Sequence, residues 1–589
     1  MSDVVEPANT EAPKRSAIEL IKEGSHYLRG TIPEELAKET THFEEADHQL
    51  LKFHGTYQQD DRDVRKERVK AGQEPKYFFM VRLRIPGGAL TADQYLAVDR
   101  LASEYANQTL RITTRQGFQL HDVLKRNLRD TIRGVNEALL STLAACGDNV
   151  RNVMACPAPS TDRRHTIVQE FARRIAIHLA PRTKTYHEIW VNGKQIPTTP
   201  ERPRPTSPMS NVDPIEPIYG KVYMPRKFKI SIAHEDDNCV DAFAQDIAVI
   251  ALRDGEDLAG FDVAVGGGFG MNHGDPKTFP RLATPLGFVQ PEQLVDVCEK
   301  IVTIQRDYGD RANRKHARMK YLVEERGIPW FKAELERRLG YGIGPYRDIA
   351  ALGIDLHLGW REQGDGRLSL GISVENGRIQ DTPELRMKSG LRTLLERCRP
   401  DVRLTPMQDI LLINLQPSQR PEIESLLREY GIPMPEELTA IQRNSMACPA
   451  LPTCGLAITE AERALPKLID QIEAEARRLG LEHERFSIRM AGCPNGCPRP
   501  YVAELGFVGR TPGTYNIYVG GKFEGTRLNQ VLQERVPYTE LMHWVRPLLL
   551  SFKEQRLAGE SFGDFCHRKG AEALRQFIQA FQSSGNWST

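Results

Sequence analysis

The chain has 589 residues and a formal net charge of +1, from 79 Lys and Arg against 78 Asp and Glu. That length exceeds one hydrophobic core and predicts three or four domains. The balanced charge excludes a global basic field for nucleic acid or an acidic membrane surface. No run of roughly eighteen or more apolar residues offers a membrane span. The opening MSDVVEPANTEAPKRS lacks the apolar core of a secretory signal. Six cysteines (Cys146, Cys156, Cys239, Cys298, Cys398 and Cys566) show no framework spacing, so reduced thiols in the cytoplasm are expected.

Residues 1–75 are polar and charged, most of all across Asp60–Lys70, and read as an N-terminal extension or docking arm, or equally as a solvated helix. Phe78–Ile85 alternates as a strand, placing Arg82 and Arg84 on one face. A Thr91 cap opens helical spacing through Tyr105, Leu110–Leu120 is extended, and Leu128–Leu143 is helical again. This order predicts a small α+β sandwich. Arg111 and Arg115 flank a Thr-Thr turn, with Gln119 and His121 following. The Pro-rich stretch 196–217 reads as a loop. Lys227 and Lys229 lie two apart and share a face. The run Gly266–Gly270 could cradle an anion through backbone amides or simply close a tight turn. Helices are expected over Pro291–Asp307 and Glu460–Leu479, and Arg311, Arg314, Lys315 and Arg318 have helical spacing.

The chain repeats itself. RNVMACPA at 151–158 returns as RNSMACPA at 443–450, and Arg111–Gln116 faces Arg403–Gln408 at the same separation. Ile85–Leu90 resembles Val374–Ile379, Phe228–Ala233 matches Phe486–Ala491, and Phe261–Gly267 parallels Tyr515–Gly521. Matches in one order along both halves indicate a fused tandem duplication, folded about a pseudo-two-fold axis with a site between halves. The two α+β copies could join into one sheet.

Four cysteines carry the strongest signal. Cys448 and Cys454 stand in MACPALPTC, a C-x5-C spacing, and Cys493 and Cys497 in GCPNGC, a C-x3-C spacing. Four thiolates match the soft-ligand demand of a cubane iron–sulfur cluster. A structural zinc site usually shows shorter knuckles and fits these intervals poorly. Cys156 and Cys239, which the repeat lays on Cys448 and Cys497, read as remnants of the duplication rather than ligands.

The first half lacks the quartet but carries cations where the second carries sulfur: Arg82, Arg111, Arg115, Arg151, Lys227 and Lys229. Two unit charges about 4 Å apart interact by roughly 4 kcal/mol at an effective dielectric near 20, so a converging set needs an anion. A small oxyanion or a polycarboxylate cofactor answers that need. No nicotinamide or flavin motif is present, so reducing equivalents should come from a partner. A non-catalytic iron–sulfur relay or a zinc-stabilised scaffold would leave the cations without a purpose.

LKFHGTYQQDDRD at 51–63, RLRIPGG, RITTRQGFQLH, PRKFK, MACPALPTC, GCPNGCPRP and GESFGDF at 559–565 span nearly the whole chain. Together they resemble the sulfite and nitrite reductase haemoprotein family. The resemblance implies paired ferredoxin-like half-domains at 76–150 and 345–440. It also implies a sirohaem and substrate domain at 151–344, a [4Fe–4S] and sirohaem domain at 441–589, and a docking arm at 1–75. By the same resemblance Cys448, Cys454, Cys493 and Cys497 hold a [4Fe–4S] cluster, with Cys497 also the axial ligand of sirohaem. Arg82, Arg151, Lys227 and Lys229 match the substrate cations. Arg111, Arg115, Gln119, His121 and Asn495 match residues around the sirohaem. The implied activity is the six-electron reduction of sulfite to sulfide in assimilatory sulfur metabolism, leading to cysteine biosynthesis. LKFHGTYQQDDRD looks like the type fed by an NADPH-oxidising flavoprotein subunit. MACPALPTCGLAITEAER and DVRLTPMQD resemble ferredoxin-dependent relatives, and nitrite is the alternative substrate. Some members carry a Tyr–Cys cross-link, for which Tyr57 and Cys146 are the counterparts.

Overall fold

The computed structural model describes residues 15–191, 216–255, 257–349 and 352–583. The Pro-rich stretch expected as a loop falls almost wholly outside these residues, as does the start of the N-terminal segment.

The first half supplies strands β1 (Thr56–Asp60), β2 (Tyr77–Arg82), β3 (Ala89–Leu90), β4 (Leu110–Ile112) and β5 (Phe118–Val123). It continues with β6 (Met154–Ala155), β7 (Ile230–His234), β8 (Ile247–Asp254), β9 (Asp257–Val265) and β10 (Thr284–Val289). The second half repeats the series: β11 (Gly359–Glu362), β12 (Leu368–Ile372), β13 (Arg378–Ile379), β14 (Asp401–Leu404) and β15 (Ile410–Leu415). Then follow β16 (Ser445–Ala447), β17 (Ile488–Ala491), β18 (Leu505–Thr511), β19 (Thr514–Val519) and β20 (Gln530–Pro537).

These strands form four five-stranded sheets. The larger two share one plan, β6-β7-β8-β9-β10 and β16-β17-β18-β19-β20. In each, the first two pairings are parallel and the last two antiparallel. The duplication is thus visible strand by strand.

The smaller sheets, β1-β2-β5-β4-β13 and β11-β12-β15-β14-β3, each finish with a strand taken from the opposite half. The α+β copies therefore do not merge into one sheet; they exchange edges. Arg378 of β13 sits opposite Arg111 of β4, and Leu90 of β3 opposite Val402 of β14. An exchanged strand covers each open edge and so removes an unpaired row of backbone groups.

The exchange is locked symmetrically. Gln116 Nε2 donates to the Leu404 carbonyl at 3.0 Å, and its repeat mate Gln408 donates to the Ile112 carbonyl at 3.4 Å. Both glutamines are buried with left-handed backbones, at φ 51° and 75°. Gly88 and Gly377, also left-handed, leave room for the same two carbonyls: a Cβ on Gly377 would stand 2.4 Å from the Ile112 oxygen. One apolar core runs through both small sheets and the first large sheet, while residues 441–578 enclose a core of their own.

Local signals were mostly obeyed. Thr91 caps the helix Ala92–Tyr105 through a reciprocal pair with Gln94, at 3.2 and 3.1 Å. The next helix stops at Glu137, short of the expected Leu143, because Leu139 turns left-handed. The basic strip is not a helix: Arg311 to Ala317 are irregular and Arg318 is the N-cap of Met319–Leu339. Arg311 pairs with Glu19, and Arg314 clasps Asp148 at 2.7 and 3.0 Å. The first pair ties the N-terminal chain to the first half, and the second holds two segments of the first half together. Within residues 1–75, β1 is the outer strand of the first sheet, and Phe43, Leu50, Leu51 and Phe53 are buried.

Gly377→Ala should cost more than the roughly 1–3 kcal/mol of an unfavourable left-handed backbone, because the Ile112 carbonyl blocks the new methyl. Gly340→Ala is the matched control, since Gly340 has φ 77° with nothing within 4 Å. Denaturant midpoints of the two variants should therefore differ, with Gly377→Ala the lower; equal midpoints would show that the crossing tolerates a side chain.

Candidate metal and anion site

Two turns at the ends of adjacent parallel strands carry the quartet. Cys448 leaves β16 and Cys493 leaves β17, so strand pairing places both at the same end of the sheet. Cys454 is folded back by Ala450, whose φ of 51° aims its carbonyl at the Cys454 amide, 2.8 Å away. Gly496, at φ 60°, turns the chain towards Cys497; a side chain there would strike the Tyr501 ring.

All ten cysteines are free. Burial, then the neighbouring Cys497 and Cys493, push the Cys448 thiol well above its usual range. Burial and the charges of Cys497 and Cys454 push Cys493 up to about 12. Four sulfurs so placed cannot all ionise beside one another without a cation between them. Donors already point at sulfur: the Gly492 amide at Cys448 Sγ, 3.3 Å, and Asn495 Nδ2 at Cys493 Sγ, 3.6 Å. Such donors stabilise metal-bound thiolate. The quartet fits a cubane iron–sulfur cluster.

Cys497 is the exposed member, and it lines a cavity with Arg115, Lys227, Lys229, Arg318 and Asn495. Lys227 and Lys229 do share a face, as their spacing predicts. Burial, then Arg151, Arg226 and Arg318, lower Lys227 to about 7. Burial and Lys227 press Lys229 well below the lysine range. Arg115 falls to about 9, through burial first and Arg151 second. Arg151 stands behind the cavity, holding the Gly147 carbonyl at 3.3 Å and within the field of Tyr57, Cys146 and Lys227.

A second group lies on the exchanged sheet. Register sets Arg82 against Gln119, Gln119 against Arg111, and Arg111 against Arg378, a row across β2, β5, β4 and β13. With its amide oxygen turned inward, Gln119 accepts from Arg82 Nε at 3.1 Å. Arg111 is bound to Glu462 and to the Ala447 carbonyl, 3.0 Å away; Arg378 meets the same Glu462 at 2.7 Å. His121 lies buried with neither ring nitrogen hydrogen-bonded. Burial, then Arg378, Arg111 and Arg82, hold it neutral. An orphaned buried imidazole beside three guanidiniums is a place for an acidic ligand group. Arg82 also touches Cys146 Sγ at 3.0 Å and faces the Tyr57 ring, 5.7 Å from its centroid. Burial, then the neighbouring Cys146, push the Tyr57 hydroxyl up.

Arg84 does not join the site, despite its alternation with Arg82; its guanidinium ends on the Ala176 carbonyl at 2.6 Å. Nor do the amides of Gly266 and Gly268 cradle an anion. They bond the Asp246 and Arg281 carbonyls at 3.0 and 2.8 Å, closing a turn that brings Phe269 and Gly270 to the cavity wall.

Sequence reading missed the supporting residues Asp246, Asp241, Arg499 and Lys320. Asp246, buried, takes Arg318 at 2.9 Å and the Lys229 amide at 2.9 Å. Arg499, two residues after Cys497, reaches Asp241 and the carbonyls of Thr114 and Pro406, at 3.2 and 3.0 Å, so it fastens the cysteine turn to both halves. Lys320 is lowered to about 6, by burial and then Arg318, and points at the Gly270 carbonyl, 2.8 Å away. Only the acidic residues lacked any sequence signal; Lys320 stood two residues beyond Arg318 of the basic strip and Arg499 in GCPNGCPRP.

The family model for the nitrite and sulphite reductase 4Fe-4S domain matches residues 170–342 and 440–582. The model for the nitrite/sulfite reductase ferredoxin-like half domain matches 71–138 and 361–430. The chain belongs to the nitrite and sulfite reductase family. It is 46% identical to the "Sulfite reductase [NADPH] hemoprotein beta-component" of Staphylococcus haemolyticus, over 97% of this chain and 98% of that one. Identity to the protein of the same name from Geobacillus kaustophilus is 47%, over 94% and 96%. It is also 46% identical to the "Sulfite reductase [ferredoxin]" of Synechococcus elongatus, over 97% and 92%. The solved structure of Mycobacterium tuberculosis NirA matches with a TM-score of 0.76 over 95% of this chain and 97% of that chain; at 23% identity this speaks for the fold. The two family models match twice each, in the order of the duplicated halves. No helix among the described residues is long and apolar enough to cross a membrane.

Asp246→Asn would leave the Arg318 guanidinium buried with a neutral partner. Breaking such a pair costs roughly 3–5 kcal/mol. A lowered denaturant midpoint is expected, with the iron content of the folded fraction unchanged; an unaltered midpoint would mean that solvent already pairs Arg318.

Proposed function

We propose that the protein reduces sulfite to sulfide, a six-electron change, as a cytoplasmic step of sulfur assimilation leading to cysteine. The observation that carries this reading is that Cys497 belongs to the four-sulfur group and also lines the cation cavity. Electron delivery and anion binding thus meet at one residue.

In this reading Cys448, Cys454, Cys493 and Cys497 would hold a [4Fe–4S] cluster, and Cys497 would also hold the sirohaem. Arg111, Arg115, Gln119, His121 and Asn495 seat the sirohaem and its carboxylates. When bound, that pair would supply single electrons for reducing the anion. Arg82, Arg151, Lys227 and Lys229 do the rest. Their charges lower the cost of bringing an anion into a low-dielectric cavity. Lys227, near 7 in its free state, can give a proton to a departing oxygen at neutral pH and regain one from solvent. Asp246 fixes the Lys229 backbone, so the second lysine is positioned rather than wandering.

The segment LKFHGTYQQDDRD supports an NADPH-oxidising flavoprotein subunit as the donor. Relatives named for NADPH and for ferredoxin are equally similar, at 46%. Turnover with NADPH and the flavoprotein, set against turnover with reduced ferredoxin, decides the donor. The ratio of kcat/KM for sulfite to that for nitrite tests the substrate; a preference for nitrite would make the protein a nitrite reductase.

Cys497→Ser should remove the iron–sulfur and tetrapyrrole absorption together, as read by visible spectra and acid-labile sulfide. Loss of one signal alone would refute the shared sulfur.

The lysine predicts a pH dependence. Lys227 is charged below about 7, and each pH unit above that value reduces the charged fraction roughly tenfold. The kcat/KM for sulfite should therefore fall above neutrality in the wild type. Lys227→Arg keeps its charge and should lack this limb, and the comparison cancels the ionisation of sulfite itself. Parallel profiles would remove Lys227 from the reaction.

A further inference from the structure

The pseudo-two-fold axis places a second cluster of ligating side chains in the first half. Cys156 leaves β6 as Cys448 leaves β16, and Cys239 lies between β7 and β8 as Cys497 lies between β17 and β18. Two residues that the repeat did not foretell complete the group: Asp237, beside Cys239, and His357, just before β11 of the second half. The ligand atoms of all four lie within 4.8 Å of one another. Cys156, Cys239 and His357 are buried, and Asp237 is nearly so.

We propose that Cys156, Asp237, Cys239 and His357 form a structural zinc site that staples the chain entering the second half to the first. Three of the four ligand atoms form a tight triangle, with Cys239 Sγ within 4.8 Å of each. Cys156 Sγ is 3.1 Å from Asp237 Oδ2 and 3.6 Å from His357 Nε2, and the latter two atoms are 3.0 Å apart. Zinc bonds of about 2.0 Å to nitrogen or oxygen and 2.3 Å to sulfur require ligand separations of about 3.3–3.8 Å, so small shifts admit the ion. Two sulfurs, one imidazole and one carboxylate suit zinc; a cubane cluster wants four thiolates.

The surroundings hold the ligands as metal sites do. The free oxygen of Asp237, Oδ1, accepts from the amides of Cys239 and Asp355 at 3.0 and 3.1 Å. Asp355 accepts from the His357 amide at 2.8 Å and stands 3.7 Å from its Nδ1, while Arg361 grips Asp355 at 2.8 Å. The charge of that carboxylate favours the proton on Nδ1 and leaves Nε2 towards the ion. His357 has φ 58°, a strained backbone that this network maintains. Backbone bonds run the same way, Asn238 to Gly353 at 2.8 Å and Gly353 to Asp236 at 3.1 Å. The metal would displace the thiol protons and add its binding energy to that seam.

Untagged holoenzyme, purified without added metal, is assayed for zinc and iron by mass spectrometry and by zinc-edge X-ray absorption. The expected result is about one zinc per chain, bonded to two sulfurs near 2.3 Å and two lighter atoms near 2.0 Å. Cys239→Ser and His357→Ala should each lower zinc by roughly tenfold or more, with iron and the visible spectrum retained. Should neither variant fold, the wild-type edge spectrum still decides. Zinc far below one per chain, zinc retained in both variants, or a Cys156–Cys239 disulfide in non-reducing peptide maps would each overturn the proposal.

Discussion

Like charge crowded into a low-dielectric cavity is the constraint on which this molecule turns. Lys227, Lys229, Arg115 and Arg318 meet around a space whose far wall is Cys497. Lys227, Lys229 and Arg115 cannot be fully charged there at low cost unless an anion enters, and the sulfurs cannot ionise together unless a cation lies among them. The two demands are opposite in sign and adjacent in space. A metal-centred cofactor with acidic side groups and an oxyanion substrate satisfies both, so the protein stores its affinity as unmet electrostatics.

The scaffold bears this load by linking its halves at every level. Strands cross between the small sheets, Gln116 and Gln408 reach over the same seam, and Arg499 pins the cysteine turn to Thr114 of the first half and Pro406 of the second. Such reciprocal links leave little freedom for the cations to retreat from one another. Acidic residues set the limits of the field. Glu462 absorbs part of the charge of Arg111 and Arg378, Asp246 that of Arg318, and Asp241 that of Arg489 and Arg499. Lys227 is left with no ion pair among the described residues, which is why its proton is available.

Duplication gave both halves one topology and then let their chemistry diverge. Where the second half kept four cysteines, the first kept two and gathered an aspartate and a histidine around them. Cations took over the face that meets the partner half. The result is a division of labour about one axis, with sulfur on one side and positive charge on the other.

The sequence by itself determined the duplication, the quartet and the principal cations, because each is a local pattern: a repeated string, a spacing, an alternation. Thr91 and its helix were legible for the same reason, since a capping box is closed within four residues. Only the tertiary structure decided which charges converge. Arg84, Arg311 and Arg314 look like Arg82 and Arg318 along the chain, yet they end on Ala176, Glu19 and Asp148. The strand exchange, Arg378 in the row beside Arg111, and His357 beside Cys156 all join residues remote in sequence. Periodicity tells which face of an element a side chain occupies, but not which element will pack against that face.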